Sequence, residues 1–187
     1  MKKLIAFLTV LFVSVLCTAC INNFAVQELN NKAKGYLEAG DIESAICRLQ
    51  SSVDLDGNIF ETRYNLAIAY IKNNSFEKAK EQIEAAMKLK ADSADSYYSL
   101  GVINEGLAYQ ISQPEAKEGE EAPALNKKEI ELAVSRFNEA EKAYEQYLAK
   151  APDAADKNEV KSQIESIKRK VEELNEQAKT ALEAPQE

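Results

Sequence analysis

Carboxylates, lysines and three cysteines are the side chains of this sequence that could do chemistry, because it contains no histidine. The missing imidazole excludes histidine general bases, histidine-activated nucleophiles and histidine-ligated zinc or haem. Carboxylates alternate with lysines at helical spacing, as Glu84 and Lys88 do, which is typical of a solvated helix face. No phosphate-binding glycine loop or calcium-loop spacing occurs. We expect no enzyme activity, no cofactor and no metal site; an enzyme of unfamiliar type, built on carboxylates, is the alternative.

The cysteine with the clearest chemistry is Cys20, which ends an apolar N-terminal segment. Two lysines open the chain, an apolar run follows at 4–16, and small residues precede Cys20. This pattern predicts a secretory signal over 1–19, and the run is shorter than a membrane-spanning helix needs. A tether is predicted over 20–25. Cys47, alone in the body of the chain, is interpreted as a small apolar residue on a packed helix, with a reactive thiol as the alternative.

The four residues Cys17-Thr18-Ala19-Cys20 resemble the lipobox of bacterial lipoproteins, although leucine is usual where Cys17 stands. The resemblance implies that Cys20 is acylated, with palmitate or similar chains, and that two or three chains hold the protein firmly in the cell envelope. Ile21 in place of aspartate is similar to lipoproteins sorted to the outer membrane of diderm bacteria. A secreted protein cut after Ala19 and an uncleaved anchor are the alternatives.

The charge of the chain excludes one class of partner. The net charge is -8, and no compact group of lysines and arginines offsets it. Such a field repels phosphate backbones, so we expect no nucleic acid among the partners.

The body of the chain repeats with a period of 34 residues. Gly40 and Asn74, which tolerate left-handed backbone, fall at the same place between two helical patterns. The other positions matched at this offset have the same size and polarity: Ala33 with Ala67, Tyr36 with Tyr70, Ile42 with Phe76, Ala45 with Ala79, Leu49 with Ile83, Ser52 with Ala86, and Leu55 with Leu89.

This period and these positions resemble the tetratricopeptide repeat, TPR. The small residues at the eighth and twentieth positions of that repeat let two antiparallel helices approach closely. The resemblance implies an all-α, TPR-like solenoid of antiparallel helix pairs with about three repeats, at 26–59, 60–93 and 94–154. The residues that match the family's small and aromatic positions are Ala33, Tyr36, Ala45, Ala67, Tyr70, Ala79 and Gly101.

The third repeat is interrupted by an acidic, proline-bounded insertion. Its first helix is predicted to overrun to Ser112 and its second to begin near Lys127, with a loop at about 113–126. Asn104 replaces the usual aromatic residue of the eleventh position. The loop is interpreted as a mobile connection, and a partner-binding loop is the alternative.

The C-terminal segment 155–187 is predicted to cap the solenoid. An amphipathic helix from Lys157 to Leu182 carries one apolar stripe, which would cover the exposed end of the last repeat. A seam that pairs with another chain is the alternative, and 184–187 is predicted to fray.

In the TPR family the first helices of successive repeats line a concave groove. Asparagine amides there can hold an extended peptide, whereas a clamp for a C-terminal carboxylate is not expected, because repeat 3 offers Asp95 and Ser99 instead of cations. The groove suits an apolar peptide or helix with some basic residues. The candidate binding residues carried over from the family are Asn30, Asn31, Lys34, Glu61, Tyr64, Asn65, Ile68, Tyr98, Val102 and Glu105.

Taken together, these patterns predict a non-enzymatic scaffold, anchored to the membrane through an N-terminal lipid in the bacterial cell envelope. Its partner is expected to be another envelope protein or peptide. An accessory ligand or partner module of a solute-uptake system is the first alternative, and a purely structural spacer is the second. The pattern leaves the oligomeric state unspecified.

Overall fold

The computed structural model describes residues 23–114 and 123–183. The predicted signal segment 1–19 and the predicted lipidation residue Cys20 lie outside these residues, as do 115–122 of the predicted inserted loop. Within the described part of the chain, no helix combines the length and the apolar character that crossing a membrane requires.

Seven α-helices account for most of the described residues, and no strand occurs among them. Alanine, glutamate and lysine, which favour helix formation, are frequent in α4, α6 and α7. The helices are α1 (23–38), α2 (Ile42–Leu55), α3 (Phe60–Lys72), α4 (Phe76–Leu89), α5 (Ala94–Ser112), α6 (Lys127–Lys150) and α7 (Lys157–Glu183).

The turns inside the first two helix pairs have the same construction. Gly40 and Asn74 both adopt left-handed backbone, with φ of 79° and 54°. One residue later, the backbone N–H groups of Asp41 and Ser75 each donate to the carbonyl five residues earlier, at 2.9 Å. Such bonds satisfy the last carbonyls of a helix. The prediction of left-handed residues at this repeat position is confirmed.

Side chains fix the starts of several helices. Asp41 accepts a hydrogen bond from the backbone N–H of Ser44 at the start of α2. At the start of α6, the Asn126 side chain accepts from the backbone N–H of Glu129, whose carboxylate accepts from the backbone of Asn126. This reciprocal capping box satisfies two free donors. It fixes where the chain becomes helical again after the insertion.

Small residues sit where paired helices come closest. Ala67 of α3 and Ala79 of α4 are fully buried, and Ala33 and Ala45 are buried at the equivalent places in the first pair. A methyl side chain lets two helix backbones approach, and the larger neighbours fill the remaining space. The all-α solenoid of antiparallel helix pairs is confirmed.

The third pair, α5 and α6, closes in the same way despite the insertion. A Cβ atom on Gly101 would lie 2.6 Å from the ring of Tyr144, so only glycine allows this approach. The first helix of this pair ends at Ser112 and the second begins at Lys127, as predicted.

Two apolar cores share the α5 helix. Ile103 and Leu107 belong to the N-terminal core, and Ala108 to the C-terminal core. The C-terminal core also includes the buried stripe of α7, which packs on α6 through Val160, Ile164, Ile167 and Leu174. The helix extends one residue beyond the predicted end, and 184–187 lies outside the described residues.

Two details differ from the sequence predictions. Cys47 is exposed on α2, so its interpretation as a packed apolar residue was wrong. Ala45 and Leu49 of α2 face the core, and a residue midway between them on a helix points to the opposite side. In addition, α1 already includes 23–25, which had been assigned to the tether.

Candidate functional site

At its N-terminal end the predicted groove contains a cavity of about 300 Å³, named here the amide cavity. Its lining comes from α1 and α3 and from Leu49 of α2. Four of the predicted binding residues lie together there, three from α1 and one from α3. The residues that line the amide cavity are Asn30, Asn31, Ala33, Lys34, Leu37, Leu49 and Asn65.

The two neighbouring asparagines of α1 differ in what they contact. The Asn30 amide donates to the Thr62 hydroxyl at 2.8 Å and so joins α1 to α3, while its own oxygen is buried without a partner in the described residues. Asn31 and Lys34 are exposed. Asn30 is therefore committed to the scaffold, whereas Asn31 and Lys34 are available to a ligand.

The middle of the groove is formed by α3. Tyr64 stacks on Phe60 with ring centroids 5.7 Å apart, and the Ser99 hydroxyl donates to the Tyr64 hydroxyl at 3.5 Å. Ile68 is half-buried and Glu61 is exposed. Tyr64 thus connects the surfaces of α3 and α5 between the two ends of the groove.

At its C-terminal end the groove contains a second cavity, of about 270 Å³, named here the acidic cavity. Three predicted binding residues of α5 meet a tyrosine of α6 and three residues of α7 there. The residues that line the acidic cavity are Tyr98, Val102, Glu105, Tyr144, Glu159, Val160 and Gln163.

The sequence analysis missed the contribution of α7 to this cavity, because that helix was considered only as a cap. A signal was nevertheless present. If Pro152 is the thirty-second residue of its 34-residue repeat, a further repeat begins at residue 155. Glu159 and Gln163 are then its fifth and ninth residues, and these positions line the groove in α3 and α5. The α7 helix therefore acts both as a cap and as a further wall of the groove.

Glu105 is the charged residue at the base of the acidic cavity, and only 8% of its surface is exposed. The Tyr144 hydroxyl donates to its Oε2 atom at 2.9 Å, and the Gln163 amide donates to its Oε1 atom. Burial raises the pKa of Glu105, and these two hydrogen bonds lower it in part. The carboxyl therefore links α5 to both α6 and α7.

Further carboxylates lie near Tyr98, which lines the same cavity. Burial raises the pKa of Tyr98, and the charges of Asp156 and Glu159 raise it further. The Tyr147 hydroxyl donates to Asp156 at 2.6 Å, a bond that contributes most to raising the pKa of Tyr147 to about 12. The carboxylates of Glu105, Asp156 and Glu159 therefore lie together at this end of the groove.

The opposite face of the solenoid explains the unusual Asn104. Its buried amide oxygen accepts from Lys80 at 3.1 Å, and Lys80 forms an ion pair with Glu139 of α6 at 2.9 Å. At the same position of repeat 2, the hydroxyl of Tyr70 accepts from Gln50. The shorter Asn104 thus leaves room for a lysine that connects the second and third repeats.

Across the described residues, no group of acidic, cysteine or histidine side chains has the arrangement of a metal site.

Comparison with known families identifies the repeat. Residues 36–101 match the family model described as tetratricopeptide repeat. This stretch runs from the aromatic position of the first repeat to the small position of the third. No curated protein sequence matches the chain.

Several solved structures share the fold. The second TPR domain of human RPAP3, in complex with an HSP70 peptide, has a TM-score of 0.59 at 18% identity, covering 77% of this chain and 98% of that one. The Arabidopsis OM64 TPR domain has a TM-score of 0.59 at 15% identity, covering 76% and 96%. The type III secretion chaperone SycD of Yersinia enterocolitica, in complex with a YopD peptide, has a TM-score of 0.53 at 13% identity, covering 80% and 91%. At these identities the likeness concerns the fold.

Proposed function

We propose that the chain is a non-enzymatic scaffold of the bacterial cell envelope, which binds a segment of another protein in its groove and holds it at the membrane. The observation that carries the proposal is the pair of cavities at the two ends of one groove, formed by residues at the family's ligand-facing positions. The RPAP3 domain and SycD, which share the fold, are each in complex with a peptide. A peptide is therefore the ligand class that the fold favours.

The proposed anchor is the acylated Cys20, with the outer membrane as the destination in a diderm organism. Only two residues separate Cys20 from residue 23, where the described part of α1 begins. Extended chain spans at most ~3.6 Å per residue, so the lipid would hold α1 within roughly 11 Å of the cysteine. Phe24, which is 69% exposed in the first turn of α1, would then lie at the lipid surface.

Metabolic labelling with a palmitate analogue tests the anchor. The wild-type chain should incorporate the label and fractionate with membranes, and Cys20→Ala should lose both properties. Cys47→Ala is the matched control, because it removes the exposed thiol of α2 and leaves the proposed acylation site intact. Labelling that persists in Cys20→Ala would contradict the anchor.

Photocrosslinking in intact cells tests the scaffold. A photoreactive amino acid at Tyr64, in the middle of the groove, should crosslink to a protein that mass spectrometry identifies. The same amino acid at Glu81, exposed on α4, is the control and should not capture that protein. If Tyr64 captures only lipid or nothing, the scaffold proposal is wrong.

A further inference from the structure

We infer that the acidic cavity receives one lysine or arginine side chain of the bound protein segment, as the charged anchor of the complex. The inference rests on the proposed function and adds the chemistry of one contact. It depends on three features of the cavity: a buried carboxylate without a counter-cation, a surrounding negative field, and aromatic walls.

The buried carboxylate is Glu105. Among the described residues, no lysine or arginine forms an ion pair with it, and its two partners are a hydroxyl and an amide. A carboxylate removed from water is costly unless it is paired, and two neutral donors compensate for this cost only in part. Each oxygen of the carboxylate keeps acceptor capacity for a further donor. A cation in the cavity would supply the missing partner.

The surrounding field has the sign that attracts a cation. Glu159 lines the same cavity and is exposed, and both Glu159 and Asp156 act on the hydroxyl of Tyr98. The charged residue that lines the amide cavity is Lys34, at the opposite end of the groove. A segment with its basic residue at the C-terminal end of the groove would therefore be favoured over the reversed binding direction.

The walls suit the stem of a long basic side chain. Tyr98 and Tyr144 meet edge to face, with ring centroids 5.7 Å apart, and Val102 and Val160 supply apolar surface. Aromatic faces attract lysine and arginine, which bury their methylene stems against such surfaces. The cavity of about 270 Å³ also has room for several heavy atoms, since a water molecule occupies about 30 Å³ in the liquid.

A double-mutant cycle tests the inference. Peptides that bind the full-length, detergent-solubilised chain are first selected from a random library and are retained if they crosslink to the photoreactive residue at Tyr64. Their lysines and arginines are then replaced one at a time by the uncharged norleucine. We expect one replacement to weaken binding to the wild-type chain at least about tenfold. The same replacement should have little effect on binding to Glu105→Gln.

Two further variants keep this result interpretable. Glu159 is exposed, so Glu159→Gln should not affect folding. In this variant, the norleucine replacement is expected to cause a smaller loss of affinity than in the wild-type chain. Glu81→Gln, on the outer α4 helix, removes the same charge away from the cavity and should leave the effect unchanged. Circular dichroism checks that Glu105→Gln remains folded.

The outcomes separate the two proposals. The selected peptides could crosslink at Tyr64 while none of their basic residues contributes to binding through Glu105. This result would overturn the inference and leave the scaffold proposal intact. The consequence would be the same if replacing the basic residue lowered the affinity for the wild-type chain and for Glu105→Gln equally. Failure to select any peptide, together with the absence of cellular crosslinks at Tyr64, would overturn the scaffold proposal and the inference with it.

Discussion

The two ends of the groove use the same repeat positions for different chemistry. The amide cavity is lined by neutral amides and an exposed lysine, with Asn31 and Lys34 open to solvent. The acidic cavity contains a buried carboxylate held by α6 and α7. The difference arises because α2 adds only Leu49 to the first cavity, whereas α6 and α7 both donate hydrogen bonds to the carboxylate that α5 places in the second. One repeat pattern can therefore produce a neutral polar cavity and a cavity with a buried carboxylate in the same solenoid.

The largest expected effect concerns the close approach that forms the acidic cavity. Gly101→Ala places a Cβ atom against the buried Tyr144 ring and should destabilise the fold by about 3 kcal/mol. Thermal unfolding followed by circular dichroism should show a midpoint lowered by roughly 6–12 °C.

The control for this prediction is Gly35→Ala in α1, near the other end of the groove. Apart from the neighbouring backbone of α1, no atom of the described residues lies within 4 Å of the added Cβ, so the change should stabilise the chain by up to about 1 kcal/mol through helix propensity. Equal effects of the two substitutions would contradict the packing difference between the two ends.

The next effect concerns the buried hydrogen bond of the acidic cavity. Tyr144→Phe removes the hydroxyl that donates to Glu105 and should cost about 2 kcal/mol, because a buried carboxylate then loses one of its two donors. Urea unfolding measures the loss. Tyr109→Phe, on a partly buried tyrosine of α5, is the control and should change stability by less than about 0.5 kcal/mol. A similar loss in both variants would show that the hydroxyl of Tyr144 has no special role.

The third expected effect depends on pH. A carboxyl whose folded-state pKa is raised above its ordinary value of 4.5 contributes stability that is fully present below that value. The contribution is lost as the pH rises through the folded-state pKa. The wild-type chain should therefore lose stability relative to Glu105→Gln as the pH rises from the ordinary value of 4.5 through the raised folded-state pKa of Glu105. Urea midpoints measured at several pH values test this, and parallel profiles for the two chains would refute it.

The smallest effect distinguishes two neighbours in the amide cavity. Asn30→Ala breaks the bond to Thr62 and should cost at most about 1 kcal/mol, because it also removes a buried oxygen that lacks a partner. Asn31→Ala should change stability by less than about 0.5 kcal/mol, because Asn31 is exposed. Chemical unfolding measures both, and only Asn31→Ala should weaken crosslinking at Tyr64 without a change in stability. The reverse order of stability losses would contradict the assignment of Asn30 to the scaffold.

Much of the fold could be predicted because the repeat is a local pattern. Small residues such as Ala67 and Ala79 mark close helix contacts, and Gly40 and Asn74 mark the turns, so a fixed period locates each helix. The ends of α5 and α6 were predictable for the same reason, since apolar periodicity stops and resumes around the insertion. The exposure of Cys47 was missed because small residues are compatible with either face of a helix, and only the packed neighbours of α2 decide which face is buried.

The candidate site could be predicted only in part. The amide cavity follows from the family positions, and its four predicted residues lie together. The sequence also placed Tyr98, Val102 and Glu105 on one helix face. It did not indicate that Glu105 would be buried, because its partners Tyr144 and Gln163 lie 39 and 58 residues away.

The sequence by itself determined the repeat, its turns, the interrupted third unit and the acidic character of the chain, because these depend on residue type and short spacing. It also carries the Cys20 motif, on which the proposed anchor depends. The tertiary structure decided that α7 joins the groove, that Glu105 is buried, and that Asn30 belongs to the scaffold while Asn31 remains exposed. Burial and hydrogen-bond partners depend on contacts between residues that are distant in the sequence, and these contacts form only when the helices pack.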